Sequence, residues 1–290
     1  ISARIQWDGD GHPGWLLKVD GGSFALRRCS LLGPRGTPKR EQGVIDWRSD
    51  GDSATGEIHS SFIAGSGELV RLGHGNQSLL VSNSVLVSTG DLVRCSPAPP
   101  QASVMVDLRH STLSATRRII ALDSPRGSST ATGMLSLFSH ATHFAGPLPV
   151  TLKDASEATL LSCTSQMISN KSVTWSGTHN GFSSRLKHLH TDPTTTTRPD
   201  AAGVAERFSE LFPGPRRIRP LHGPAAVPLA TLPPEATRIR PMHLRLKSGS
   251  RGATWAPGGT AIGANTAPLE SQLGNVGPPP NAQTDGTPDF

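Results

Sequence analysis

The chain predicts a mainly β protein followed by a structureless tail, and three observations carry that expectation. Short apolar runs of strand length recur at hairpin-like spacing through the first 190 residues, and glycine and aspartate clusters separate them. No long run of apolar residues has the 3.6-residue period of an amphipathic helix. Of the 25 prolines in 290 residues, 16 follow His190. Each proline removes a backbone donor and fixes φ, so the last hundred residues are poor material for a sheet or a long helix.

Along the chain, residues 5–7, 15–19 and 24–28 read as strands divided by Asp8-Gly9-Asp10-Gly11 and Asp20-Gly21-Gly22, residue types that accept positive φ in tight turns. A polar stretch over 33–43 interrupts the pattern. It resumes at Val44-Ile45-Asp46-Trp47 and runs through 57–63, 68–72, 78–87 and 91–95 until Pro97, Pro99 and Pro100 stop it. A second set follows at 104–108, 118–122, 134–138, 148–152 and 158–163. Two β halves joined near residues 97–100 predict an antiparallel, two-lobed barrel or a sandwich over 1–190. Residues 191–290 then form a disordered, basic, Pro/Gly-rich tail. One short helix is expected in it near 200–212, capped by Asp200, with Val204, Phe208 and Leu211 on one face and Pro213-Gly214-Pro215 ending it. A small internal repeat also lies there, residues 217–222 (RIRPLH) and 238–243 (RIRPMH).

Charge and cysteine usage narrow the classes. The net charge is +6 and the sequence pI is about 9.8, which suits an acidic partner. The excess is local: Arg216, Arg217, Arg219, Arg238, Arg240, Arg245, Lys247 and Arg251 face Glu235 alone between residues 211 and 251. Cys29, Cys95 and Cys163 make no disulfide framework, and no Cys/His spacing suits zinc, so no metal or other cofactor is expected. A reducing, intracellular compartment follows from that usage. No stretch approaches the roughly 18 continuous apolar residues of a membrane-spanning helix. Tyrosine is absent and the first residue is Ile1, which suits an internal piece of a longer product.

The sharpest motif is Thr178-His179-Asn180-Gly181-Phe182-Ser183-Ser184. A nucleophilic serine needs a tight, glycine-containing turn that exposes its hydroxyl and aims backbone N–H groups at a developing oxyanion. The segment resembles the nucleophile loop T-x-x-G-x-S-G of the chymotrypsin-like serine proteases of sobemovirus-type viral polyproteins. Residues 65–70 followed by 78–86 resemble the hairpin that leads to the catalytic histidine of that family, and Leu189-His190-Thr191 resembles its S1-pocket segment. The resemblance covers residues 57–192 and departs from the pattern three times: Ser184 replaces a glycine, Ser84 stands at the histidine position, and His190 follows Ser183 more closely than the family places it. It implies Ser183 as nucleophile, Gly181 in the oxyanion loop, Asp107 as the acid, His110 or His74 as the substitute base, and Thr178 with His190 lining a pocket for a peptide substrate. The implied activity is that of an impaired or inactive serine endopeptidase within a viral polyprotein, in the host cytoplasm.

The basic stretch supports a second class, a nucleic-acid-binding or scaffold protein. Arginines spaced by proline stay extended and available to phosphates, so Arg217, Arg219, Arg238 and Arg240 are candidate contacts to single-stranded RNA over residues 211–251. A third class is an orphan product of a GC-rich non-coding frame, for which missing tyrosine and abundant Gly, Pro, Ser and Arg are the expected composition.

Overall fold

The computed structural model describes residues 3–6, 14–34, 42–49, 53–73, 75–96, 102–123, 133–147, 158–183, 186–192, 211–212, 221–222 and 239–273. Its strands follow one another around a coil. The first turn is β1 (Ala3–Gln6), β2 (Trp15–Asp20) and β3 (Phe24–Arg27), and the second is β4 (Cys29–Leu32), β5 (Gly43–Arg48) and β6 (Ala54–His59). Next come β7 (Phe62–Gly65), β8 (Glu68–Gly73) and β9 (Gln77–Ser82), then β10 (Val85–Ser88), β11 (Asp91–Cys95) and β12 (Ser103–Arg109). The last turns are β13 (Thr112–Ala115), β14 (Arg118–Leu122) and β15 (Met134–His140), then β16 (His143–Phe144), β17 (Ala158–Ser162) and β18 (Val173–Thr178), and finally β19 (Gly181–Phe182) and β20 (Leu186–Thr191), with β21 (Leu221–His222) beside β19.

Every third strand pairs with its predecessor, and all pairs are parallel. Sheet A takes β1, β4, β7 and onward, sheet B takes β2, β5, β8 and onward, and sheet C takes β3, β6, β9 and onward. The architecture is a three-sided parallel β-helix. This overturns the expected antiparallel barrel or sandwich. The two-lobed division fails with it, because β11 and β12 belong to one turn and one apolar core runs from Leu31 to Phe212. Alternation along a strand tells which side chains face inward but not which neighbour the strand will pair with.

Inward positions stack in columns. Leu31, Ile63, Leu86, Leu113, Phe144 and Phe182 lie in successive register in sheet A, and Ile45, Val70, Val93, Ile120 and Leu161 in sheet B. All are at most 1% exposed. Burying each such side chain contributes roughly 1.5–3 kcal/mol, and like-on-like stacking spreads that gain along the coil axis.

The corner from sheet C to sheet A recurs in each turn with left-handed backbone: Arg28, Ser60, Asn83, His110, Ala141 and His179 have φ between 45° and 57°. None is glycine, so each position carries strain. Two ladders offset it. Backbone N–H groups step up the corner, from Arg28 to the His59 carbonyl, Ser60 to Ser82, Asn83 to Arg109, His110 to His140 and Ala141 to Thr178. One residue later, buried side chains accept from the amide of the turn below: Ser61 from Cys29, Ser84 from Ser61, Ser111 from Ser84, and Asn180 from Thr142. Ser61, Ser84 and Ser111 also donate to the carbonyl two residues back.

Part of the tail expected to be structureless has a fixed place. Residues 239–273 form three short 3-10 turns and the helix Thr266–Leu273, and they lie across sheet A. Leu244 and Leu269 pack on Phe62, Val85, Val87 and Ala145, whereas Leu246, Ala256 and Ile262 pack on Ala141. The outer apolar side chains of sheet A supply the burial that this segment of short turns cannot supply for itself. Of the helix expected near 200–212, residues 200–210 lie outside the described residues, as do 148–152.

Candidate binding face

Sheet A is covered by residues 239–273; the outer face of sheet C has side chains open to solvent along its length. Strand alternation places Thr55, Ser78, Met105, Ser136 and Thr174 in one outward column, in register from turn to turn. Ala25, Glu57, Leu80, Asp107, Phe138 and Ser176 make the next, and Arg27, His59, Ser82, Arg109, His140 and Thr178 the third. Parallel strands repeat about every 4.8 Å, so each column presents a side chain at that interval.

The face mixes apolar and hydroxyl groups. Met105, Met134 and Phe138 are 38%, 55% and 43% exposed. Its charges are already matched: Arg27 bonds Glu57 at 2.5 Å, and Arg109 bonds Asp107 at 2.5 Å. The Asp107 contact pushes the Arg109 guanidinium above its usual range, through the hydrogen bond first and the charge second. His59 Nδ1 lies 2.8 Å from Ser82 Oγ and His140 Nδ1 lies 2.7 Å from Thr178 Oγ1.

Along the adjoining corner, His110, His140 and His179 stack edge to face with ring centroids 5.4 and 5.5 Å apart, and Trp255 extends the row beyond His179 at 6.4 Å. His140 is held below the ordinary imidazole pKa by desolvation, then by the charges of His110, His179 and Arg109, with Asp107 opposing. Desolvation lowers His179 as well. Neutral imidazoles offer one donor and one acceptor each, which suits hydroxyl partners. Among the described residues no group of three or more His, Cys, Asp or Glu side chains could hold a metal ion, and no helix is long and apolar enough to cross a membrane.

The residues singled out for peptide hydrolysis are distributed over this scaffold. Ser183 follows β19, half-buried, with its amide bonded to the Phe144 carbonyl. Asp107 is on the outer face of sheet C, engaged by Arg109. His110 sits at the corner two turns below Ser183, an offset of about 10 Å along the axis at the spacing of parallel strands. Ser183, Asp107 and His110 therefore do not converge. Gly181 is in a strand with no positive φ and donates its amide to the Thr142 carbonyl. Thr178 bonds His140 in sheet C, whereas His190 is in sheet B with Nε2 2.8 Å from the Cys163 carbonyl, so the two do not share a pocket. Ser84 is a rung of the buried hydroxyl ladder. His74 lies outside the described residues.

The motif around Ser183 has a structural explanation. Thr178 ends a strand, His179 takes the corner conformation, Asn180 ties three backbone or side-chain partners together, and Phe182 stacks on Phe144 at 5.1 Å. The signal that would have revealed the coil is an internal repeat: residues 61–72 (SFIAGSGELVRL), 84–95 (SVLVSTGDLVRC) and 111–122 (STLSATRRIIAL) align without gaps. Its first serine is the buried ladder position.

Of the arginines proposed for RNA, Arg217, Arg219 and Arg238 lie outside the described residues. Arg240 bonds Glu270 at 2.5 Å and is the residue before the 3-10 turn Pro241–Leu244. The two copies of the short repeat behave differently: Leu221-His222 forms β21, whereas Met242-His243 lies in that turn. No family model, curated protein or solved structure matches the chain.

Proposed function

We propose that the protein is a binding solenoid whose ligand is an extended, uncharged, hydroxyl-rich polymer, a neutral glycan in chemical class, lying along the outer face of sheet C. The observation that carries this reading is the combination of exposed Phe138, Met105 and Met134 with charges already paired on the same face. A polyanion would have to break Arg27 from Glu57 and Arg109 from Asp107 to gain cations, at about 0.2–1 kcal/mol for each exposed pair. A neutral polyol leaves both pairs intact and adds hydrogen bonds at their edges. The apolar face of a sugar ring packs on Phe138, and Ser78, Ser82, Ser136, Ser176 and Thr174 supply hydroxyl partners.

Binding of the full chain to neutral soluble polysaccharides and to single-stranded RNA, measured side by side, tests this. Phe138→Ala is expected to weaken glycan binding about 5-fold, since an aromatic contact is worth roughly 1 kcal/mol, with thermal stability unchanged because the ring is exposed. Salt-sensitive RNA binding that ignores Phe138 would replace this reading with the basic-tail one. That second reading has one observation in its favour: Arg245, Lys247 and Arg251 are all exposed on the segment lying over sheet A. The serine-endopeptidase reading draws no support from the arrangement of Ser183, Asp107 and His110.

A further inference from the structure

Among the outward residues of sheet A, His143 is out of place. It sits in β16 between Thr112 and Gly181 of the neighbouring strands, with 1% of its surface exposed and neither ring nitrogen hydrogen-bonded. What covers it is the segment 239–273: a Cβ on Gly263 would lie 3.1 Å from His143 Cβ. Around this point the segment is held by three amide contacts, Gly263 to the Ala141 carbonyl at 2.7 Å, Ala264 to Thr112 Oγ1 at 3.0 Å and Asn265 to Asn83 Oδ1 at 2.8 Å. A neutral imidazole must keep one N–H, so the covered state leaves a buried donor unmatched, and a charged imidazole would fare far worse.

We propose that residues 239–273 form an acid-released strap, docked on sheet A while His143 is neutral and detached when His143 takes up a proton. Thr112 and Gly181 flank His143 in the neighbouring strands and Gly263 lies over its Cβ; none of them carries a charge, and burial is the one influence on its pKa, so nothing compensates an imidazolium. Burial alone pushes the docked His143 from 6.5 down to about 4. With the docked value lowered, the strap is fully held above about pH 6.5, and its docking weakens as pH falls towards 4. Two other imidazoles bear on the strap, one within it and one beside it. His243 accepts the Arg240 amide near Glu270, and His179 faces Trp255. Both are shallower than His143, so each contributes less of the pH dependence.

Hydrogen exchange of the Gly263, Ala264 and Asn265 amides in the full chain, corrected for the intrinsic pH dependence of exchange, reads the opening equilibrium directly. Opening is expected to become about 150-fold more favourable between pH 7.5 and 4, the factor that a shift from 6.5 to about 4 implies over that range. His143→Leu should flatten that slope, whereas His179→Asn and His243→Asn should keep most of it. A parent whose opening changes by less than about 3-fold over this range, or a His143→Leu chain that follows the parent, overturns the proposal. Should His143→Leu fail to dock at pH 7.5, the His143 ring nitrogens followed by NMR in the parent decide. A ring that stays neutral until the three amides lose protection supports the strap, and one that titrates near pH 6.5 with those amides still protected overturns it.

Discussion

At the corner between sheets C and A, six non-glycine residues accept a backbone conformation that costs L-residues roughly 1–2 kcal/mol each. The hydroxyl ladder beside them is what makes the corner affordable. Ser111 illustrates it: its Oγ accepts from the Ser84 amide and donates to the Arg109 carbonyl, entirely buried. Ser111→Ala leaves that amide without its partner and is expected to destabilise the fold by about 1–3 kcal/mol in urea unfolding. The thiols give a second residue-level expectation. Burial pushes Cys95 and Cys163 up to about 12, whereas Cys29 is half-exposed. Alkylation of the native protein near pH 8 should modify Cys29 and spare the other two until the chain unfolds, since the thiolate is the reactive form. Mass spectrometry of the labelled peptides checks this. The sequence pattern around Ser183 fits two readings at this scale, because a corner made of Thr178, His179, Asn180 and Gly181 uses the same residue types as a nucleophile turn.

Strand existence was legible element by element: residues 15–19, 68–72, 91–95 and 118–122 were marked by apolar runs and turn residues, and strands occupy those places. Pairing was not. Residues 78–87 read as one strand, yet Asn83 and Ser84 divide it into β9 and β10, which lie in different sheets. A turn through a corner leaves no break in hydrophobicity, because inward residues continue on both sides of it. The recurrence over 61–72, 84–95 and 111–122 does carry the missing information, since equal segments one turn apart must lie side by side. Those segments also carry an ionic row on sheet B. Arg118 holds Asp91, whose side chain is 1% exposed; Arg94 is bidentate to Asp123 and bonds Glu68 at 2.8 Å; Arg71 bonds Glu68 at 2.7 Å. Burial disfavours charge on Arg94, but the Asp123 hydrogen bond and the Glu68, Asp123 and Asp91 charges outweigh it and raise its pKa. Asp91→Ala takes away the carboxylate that holds Arg118 and is expected to cost about 3 kcal/mol, measurable as a lower urea midpoint. Asp91→Asn, which preserves shape and some hydrogen bonding, should cost less.

For the whole molecule, the tail was the least legible part. Residues 239–273 carry little helical or strand pattern, and their docking depends on outward side chains of sheet A more than 150 positions away, such as Phe62, Val85 and Val87. Removing residues 239–290 should uncover that apolar face and drive the remaining chain into oligomers, seen by light scattering as a mass above that of a monomer. A truncated chain that stays monomeric would show that the face tolerates water.

The path of that segment also bears on how the molecule answers force. A coil in which each turn touches only its neighbours behaves as a linear chain of springs. Pulled along its axis, it opens one turn at a time from whichever end is weakest. Residues 239–273 run obliquely over the stack, with Gln272 reaching the Ser60 carbonyl, Asn265 reaching Asn83, Gly263 reaching Ala141 and Trp255 lying beside His179. Those contacts place one piece of backbone in parallel with several turns in series. Load applied between the ends is then shared by this diagonal tie, and the turns it spans should yield together in a single high-force event.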